Sequence, residues 1–85
     1  MYQVSWDEGA LDDLRAIDKT MAKKIIHKVE NYLTKSPIEL GKTLSAEYKG
    51  LYRYRYGDYR IVYQLIEKEF TIIVVKVGHR SSVYT

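Results

Sequence analysis

The 85-residue sequence predicts an α+β fold of order β-α-α-β-β-β, an N-terminal strand and an antiparallel helical hairpin packed on a small, mostly antiparallel sheet. Three observations carry that prediction. Two blocks of apolar residues at helical spacing fill the first half, separated by only two or three residues. Three runs of strand-forming residues with tight connections fill the second. A short alternating stretch, Tyr2-Gln3-Val4-Ser5-Trp6, precedes both.

Residues 2–6 alternate apolar and polar side chains, as a half-buried strand does. Ser5 and Glu8 have capping-box spacing and Asp7 is an alternative cap, so a helix starts here, with Ala10, Leu11, Leu14 and Ile17 on one face. Asp18 or Thr20 caps a second helix. Its apolar stripe is Met21, Ile25, Val29, Tyr32 and Leu33, and its polar face holds Lys23, Lys24, His27 and Lys28. Ser36-Pro37 stops it, because the residue before proline is pushed out of the helical region. No apolar stripe is left over, so the free chain is expected to be a monomer.

Residues 38–49 are weakly patterned and predict a loop or a short irregular strand. Strands follow at 51–56, 59–66 and 70–77, with Gly57-Asp58 and Glu67-Lys68-Glu69 as the turns of an antiparallel meander. The last strand, Phe-Thr-Ile-Ile-Val-Val-Lys-Val, is apolar on both faces for most of its length, which predicts a central position.

Length and composition bound the function. One domain, residues 1–85, is expected, and a chain this small buries roughly 60–65% of its unfolded surface, so any site is an open groove rather than a deep cavity. The absence of cysteine excludes disulfides and thiolate metal sites, and His27 and His79 lack ligand spacing, so neither metal nor cofactor is expected. No basic-then-apolar leader opens the sequence and no run approaches the roughly 20 apolar residues of a membrane span, which predicts a soluble, cytoplasmic protein with no membrane partner. The net charge is +3, but residues 1–47 balance to −1 and residues 48–85 to +4. A polyanionic partner is therefore expected at the C-terminal half.

Four of the five arginines lie in that half, and Tyr52-Arg53-Tyr54-Arg55-Tyr56-Gly57-Asp58-Tyr59-Arg60 holds three of them with four of the nine tyrosines. Strand alternation puts Arg53 and Arg55 on one face and Tyr52, Tyr54 and Tyr56 on the other. On the next strand Ile61, Tyr63 and Leu65 take the core face, which brings Arg60 beside Arg53 and Arg55 in one basic concavity. Arg80 and Tyr84 border it from beyond the third strand. A row of guanidiniums on a rigid sheet suits a phosphodiester backbone.

The element order, with GLYRYRYGDYRIVYQ and then VGHRSSVY, resembles the RelE branch of the RelE/ParE toxin superfamily, the toxin halves of type II toxin–antitoxin pairs. The resemblance spans nearly the whole chain, and its most specific part is GDYRIVY followed about 20 residues later by GHRxxVY. It implies a ribosome-dependent endoribonuclease that cuts mRNA in the decoding site by 2′-hydroxyl attack. It also implies a cognate RelB-like antitoxin, and operator DNA bound only through the toxin–antitoxin complex. By position it implies substrate-binding roles for Arg53 and Arg55, where the best-known member has lysines. Arg60 would bind the scissile phosphate, Arg80 would be a phosphate ligand and proton donor, and Tyr84 a base or base-stacking platform. His79 lies inside the motif and titrates near neutrality, making it a candidate auxiliary group. Glu47 does not match the glutamate position of the YoeB branch.

That reaction needs a base for the 2′-hydroxyl, charge stabilisation at the phosphorane and an acid for the leaving 5′-oxygen. Arginines suit the middle task, where one preorganised donor is often worth about 3–4 kcal/mol. Guanidiniums do not deprotonate near neutrality, and a tyrosine with an ordinary pKa near 10 is a weak base. Such a site stabilises charge and lacks proton-transfer groups, which suits a ribosome that aligns the mRNA, since orientation supplies up to roughly 7–11 kcal/mol. The competing reading on the same fold is a ParE-like inhibitor of DNA gyrase that performs no chemistry, and a third is a non-toxic relic that retains only antitoxin binding. A gyrase inhibitor has no need of Arg53, Arg55, Arg60, Arg80 and Tyr84 together, and strong growth arrest on expression would eliminate the relic. Singly, each arginine reads as a solvated surface group, and Tyr54, Tyr56 and Tyr63 read as packing residues.

Overall fold

The computed structural model describes residues 1–44 and 50–79. Strand β1 (Gln3–Trp6) leads into α1 (Glu8–Ala16) and α2 (Lys19–Asn31), then a 3₁₀ turn (Leu33–Lys35) and a one-turn helix α3 (Pro37–Leu40). Strand β2 (Lys42–Thr43) precedes β3 (Leu51–Tyr56), β4 (Tyr59–Ile66) and β5 (Thr71–His79). The sheet order is β1-β5-β4-β3-β2, antiparallel throughout except for the parallel β1–β5 pair. The predicted α+β class and element order hold, and β5 is internal as its apolar run implied.

The helices begin where the caps were read, by different means. Asp18 caps α2 with its side chain, Oδ2 accepting from Met21 N at 3.1 Å. Asp7 occupies the N-cap of α1 without a side-chain bond to the helix. α2 ends earlier than its apolar stripe suggested, and Tyr32 lies past its end. There the Lys28 ammonium sits 4.3 Å above the Tyr32 ring, and the ring is partly exposed. Pro37 starts a helix rather than only stopping one: its fixed φ and missing N–H fit the first helical position, where no donor is needed.

The core joins Ala10, Leu14, Ala22, Ile25, Val29 and Leu33 from the helical side to Ile61, Tyr63, Ile72, Val74 and Val77 from the sheet. Fully burying an aliphatic chain of this size contributes roughly 1.5–3 kcal/mol, so this layer is what fixes the sheet's position. The register between β4 and β5 shifts at Val62/Tyr63, where Val62 pairs with Lys76 and Tyr63 with Val74. Val75 is thus the extra residue of a β-bulge. It resets the alternation so that Ile72, Val74 and Val77 all reach the core, which explains the two-faced apolar reading of this strand. Just beyond, Asp13 on α1 accepts the Val77 N–H at 2.9 Å and ties the helix to the strand.

Between α1 and α2, Leu11, Ile17, Ala22 and Ile26 line an open groove of about 410 Å³. The hairpin therefore does leave apolar surface, contrary to the sequence expectation. No helix among the described residues is long and apolar enough to cross a membrane.

Candidate nucleic-acid interface

The sheet face away from the helices is built by register. Arg53 pairs with Val62 and Arg55 with Arg60 across β3–β4, so all four project from one face. Tyr52, Tyr54 and Tyr56 pair with Tyr63, Ile61 and Tyr59 and take the other. Tyr63 is fully buried, stacks on Tyr52 at 5.6 Å and donates its hydroxyl to the Pro37 carbonyl at 2.6 Å. The packing role read for Tyr63 is thereby shown.

Leu40, Lys42, Arg53, Tyr54, Arg55 and Arg60 line a groove of about 180 Å³. Four of these six side chains are cationic, and none of the described lining residues is acidic. Arg55 Nε and Arg60 Nη1 both reach the Gly57 carbonyl at 3.5 Å, and Arg60 Nη1 reaches the Tyr59 carbonyl at 3.3 Å. These long bonds hold two like charges side by side on carbonyl dipoles, which leaves most of their donor capacity for an incoming anion. The tight turn that makes this possible needs Gly57, whose φ of 59° lies in the left-handed region.

Arg60 is 8% exposed and set into the sheet, unlike the solvated surface group that an arginine taken singly suggests, whereas Arg55 is exposed and Arg53 half-buried. A buried guanidinium is pre-positioned and already partly dehydrated, so it is the arginine best suited to fixed charge stabilisation. Tyr54 borders the groove from β3, but its ring turns to the helical side, 6.3 Å from the Tyr32 ring. There burial, then the neighbouring Tyr32 and Tyr56, push its pKa above the ordinary tyrosine value, so it is no base near neutrality.

His79 pairs with Tyr59, one residue beyond Gly78, which pairs with Arg60. Alternation directs it to the opposite face, where its ring meets the Tyr59 ring edge-on at 5.9 Å. It does not join Arg53, Arg55 and Arg60. Arg80 and Tyr84 lie outside the described residues, as does Glu47. Lys42 is the groove residue that sequence reading missed. Its position follows from β2, where it pairs with Arg53, and two residues of strand give no periodicity to read.

Comparison with known proteins adds an independent line. The profile of the ParE toxin of type II toxin–antitoxin systems of the parDE kind matches residues 4–84. The chain is 26% identical over 83 residues to the toxin RelG of Mycobacterium tuberculosis, covering 98% of this chain and 95% of that protein. It is 30% identical over 86 residues to the mRNA interferase toxin RelE of Escherichia coli strain K12, covering 99% and 90%. Its fold superposes with a TM-score of 0.89 on the crystal structure of a RelBE toxin–antitoxin complex from Mycobacterium tuberculosis, at 26% identity and coverages of 95% and 93%.

Proposed function

Because the chain belongs to the ParE toxin family of type II toxin–antitoxin systems and its relatives include toxins named RelG and RelE, we propose that it is a ribosome-dependent endoribonuclease that cleaves mRNA in the decoding site. The observation that carries this is the groove of Lys42, Arg53, Arg55 and Arg60, with Arg60 sunk into its wall. Such a surface is matched to a phosphodiester that gains negative charge as the 2′-oxygen attacks and the 5′-oxygen leaves. In this reading Arg60 holds the scissile phosphate, Arg53 and Arg55 hold substrate on either side, and Arg80 and Tyr84 complete the site. Proton transfer is weakly provided for, so alignment of the mRNA by the ribosome supplies much of the rate.

The proposed partners are the ribosome, mRNA and a RelB-like antitoxin, with operator DNA reached only through the toxin–antitoxin complex, in the cytoplasm. The antitoxin is supported by the complexes that the structural neighbours form.

A second reading rests on the family profile itself, which carries the ParE name: inhibition of DNA gyrase without chemistry. The relatives favour the RelE reading, and fold alone does not separate them. The test is cleavage of a defined mRNA by the purified chain, with and without programmed ribosomes, for the parent, Arg60→Ala and Arg80→Ala. Cuts that appear only with ribosomes and vanish in both variants support the proposal. Growth arrest in cells with no cleavage by the parent refutes it and moves the question to a gyrase supercoiling assay.

A further inference from the structure

Register aligns more than the groove. Lys42 on β2 pairs with Arg53 on β3, Arg53 with Val62 on β4, and Val62 with Lys76 on β5. These four residues form one row across the sheet, all on the face away from the helices. Arg55, Arg60 and Gly78 form the row beside it, toward the Gly57 turn. Strands lie about 4.8 Å apart, so Lys42 and Lys76 stand about 14 Å from each other along the row. Both lysines are exposed, and Val62 between Arg53 and Lys76 is buried.

We infer that the mRNA backbone crosses this sheet perpendicular to its strands, with Lys42 and Lys76 each holding a phosphate on opposite sides of the scissile one. The inference rests on the endoribonuclease reading and extends it to two binding positions and a direction. The cations are spaced as a single strand requires: the 14 Å span exceeds one phosphate step, and flexible four-carbon arms reach to either side of it. Val62 is buried, so no further charge stands in the row between Arg53 and Lys76. Running along the strands instead, the backbone would leave the basic rows after Arg53 and meet Leu51 and Gln64, the next cross-strand pair on this face. Lysine suits the flanking positions, because it acts as a point charge on a mobile arm rather than as a rigid fork.

The test uses ribosome-bound mRNA cleaved by the parent chain, Lys42→Gln, Lys76→Gln and Arg53→Ala. Each mRNA carries one uncharged methylphosphonate at successive linkages around the cut. Each lysine variant is expected to need about 5–10-fold more toxin for half-maximal single-turnover cleavage. The linkage whose neutralisation no longer matters should lie on one side of the cut for Lys42→Gln and on the other for Lys76→Gln. Loss of sensitivity on the same side for both variants overturns the perpendicular path. So do lysine variants that behave as the parent while Arg53→Ala is impaired, a result that leaves the endoribonuclease reading standing. No cleavage by the parent removes that reading and this inference with it.

Discussion

Gly41 sits between α3 and β2, one residue before Lys42, and a side chain there has nowhere to go. A Cβ added at Gly41 would meet the Tyr63 hydroxyl at 1.9 Å, Tyr63 Cζ at 2.9 Å and the Pro37 carbonyl at 3.1 Å. Carbon–oxygen contacts begin at about 3.3 Å, so Gly41→Ala demands a displacement of more than about 1 Å. Tyr63, fully buried and stacked on Tyr52, can yield it only by giving up its bond to Pro37 and pressing into the core. The variant therefore loses the hydroxyl bond, about 0.5–1.5 kcal/mol net, and overpacks the core, about 1–3 kcal/mol, for a total near 3 kcal/mol. Tyr63→Phe alone should cost only about 1 kcal/mol, because the Pro37 carbonyl still accepts from Gly41 N at 3.3 Å. In the double variant the hydroxyl is already gone, and the destabilisation should fall short of the sum by about 1–2 kcal/mol. Urea unfolding of the four proteins measures this directly, and a loss of about 3 kcal/mol lowers Tm by roughly 12–24 °C in a domain of this size. Strict additivity, or a Gly41→Ala protein within about 0.5 kcal/mol of the parent, would refute the packing described.

Arg60→Ala should lower cleavage by about 10²–10³-fold, the usual effect of removing one preorganised donor, and Arg60→Lys should recover little, since one ammonium cannot reproduce the fork; single-turnover rates on programmed ribosomes decide this. Burial raises the pKa of Tyr63 above its ordinary value of 10.0, so the folded state keeps that proton longer than the unfolded chain. The resulting stability is complete below pH 10 and declines as pH rises beyond it, by at most about 1.4 kcal/mol per pH unit for this tyrosine. Urea titrations between pH 9 and 11.5 should show that decline, and Tyr63→Phe should flatten it. Asp13→Ala should cost about 1.5–3 kcal/mol by orphaning the Val77 N–H, with Asp13→Asn milder because it retains an acceptor; urea midpoints compare them.

What the sequence disclosed is what local periodicity encodes. Both helices, the Asp18 cap, the three long strands and the common face of Arg53, Arg55 and Arg60 follow from spacing alone. What it hid depends on partners distant in the chain. The Val75 bulge is invisible in a run of apolar residues, because either alternation looks acceptable until β4 fixes one. Lys42 joins the site through a two-residue strand whose only signature is its pairing with Arg53. The burial of Arg60 is equally non-local, since a guanidinium reads as surface until its neighbours enclose it. Tyr32 fits the helical stripe by spacing, but α2 ends at Asn31 and the ring finds Lys28 and Tyr54 instead.

The groove's composition constrains the proposed chemistry. Lys42, Arg53, Arg55 and Arg60 bring donors and charge, and among the described lining residues none is a carboxylate or an imidazole. A site of this kind lowers the energy of a phosphorane strongly and moves protons poorly. Free RNA samples many backbone conformers, few with the 2′-oxygen in line, so the arginines acting alone on free RNA would stabilise a transition state that is seldom approached. Alignment by a second body changes that balance, because up to roughly 7–11 kcal/mol of the barrier is orientational. The proposed dependence on the ribosome is what such a lining implies. A version of this site that cut free RNA efficiently would need a proton-transfer group beside Arg60, and His79, which pairs with Tyr59, faces the other side of the sheet.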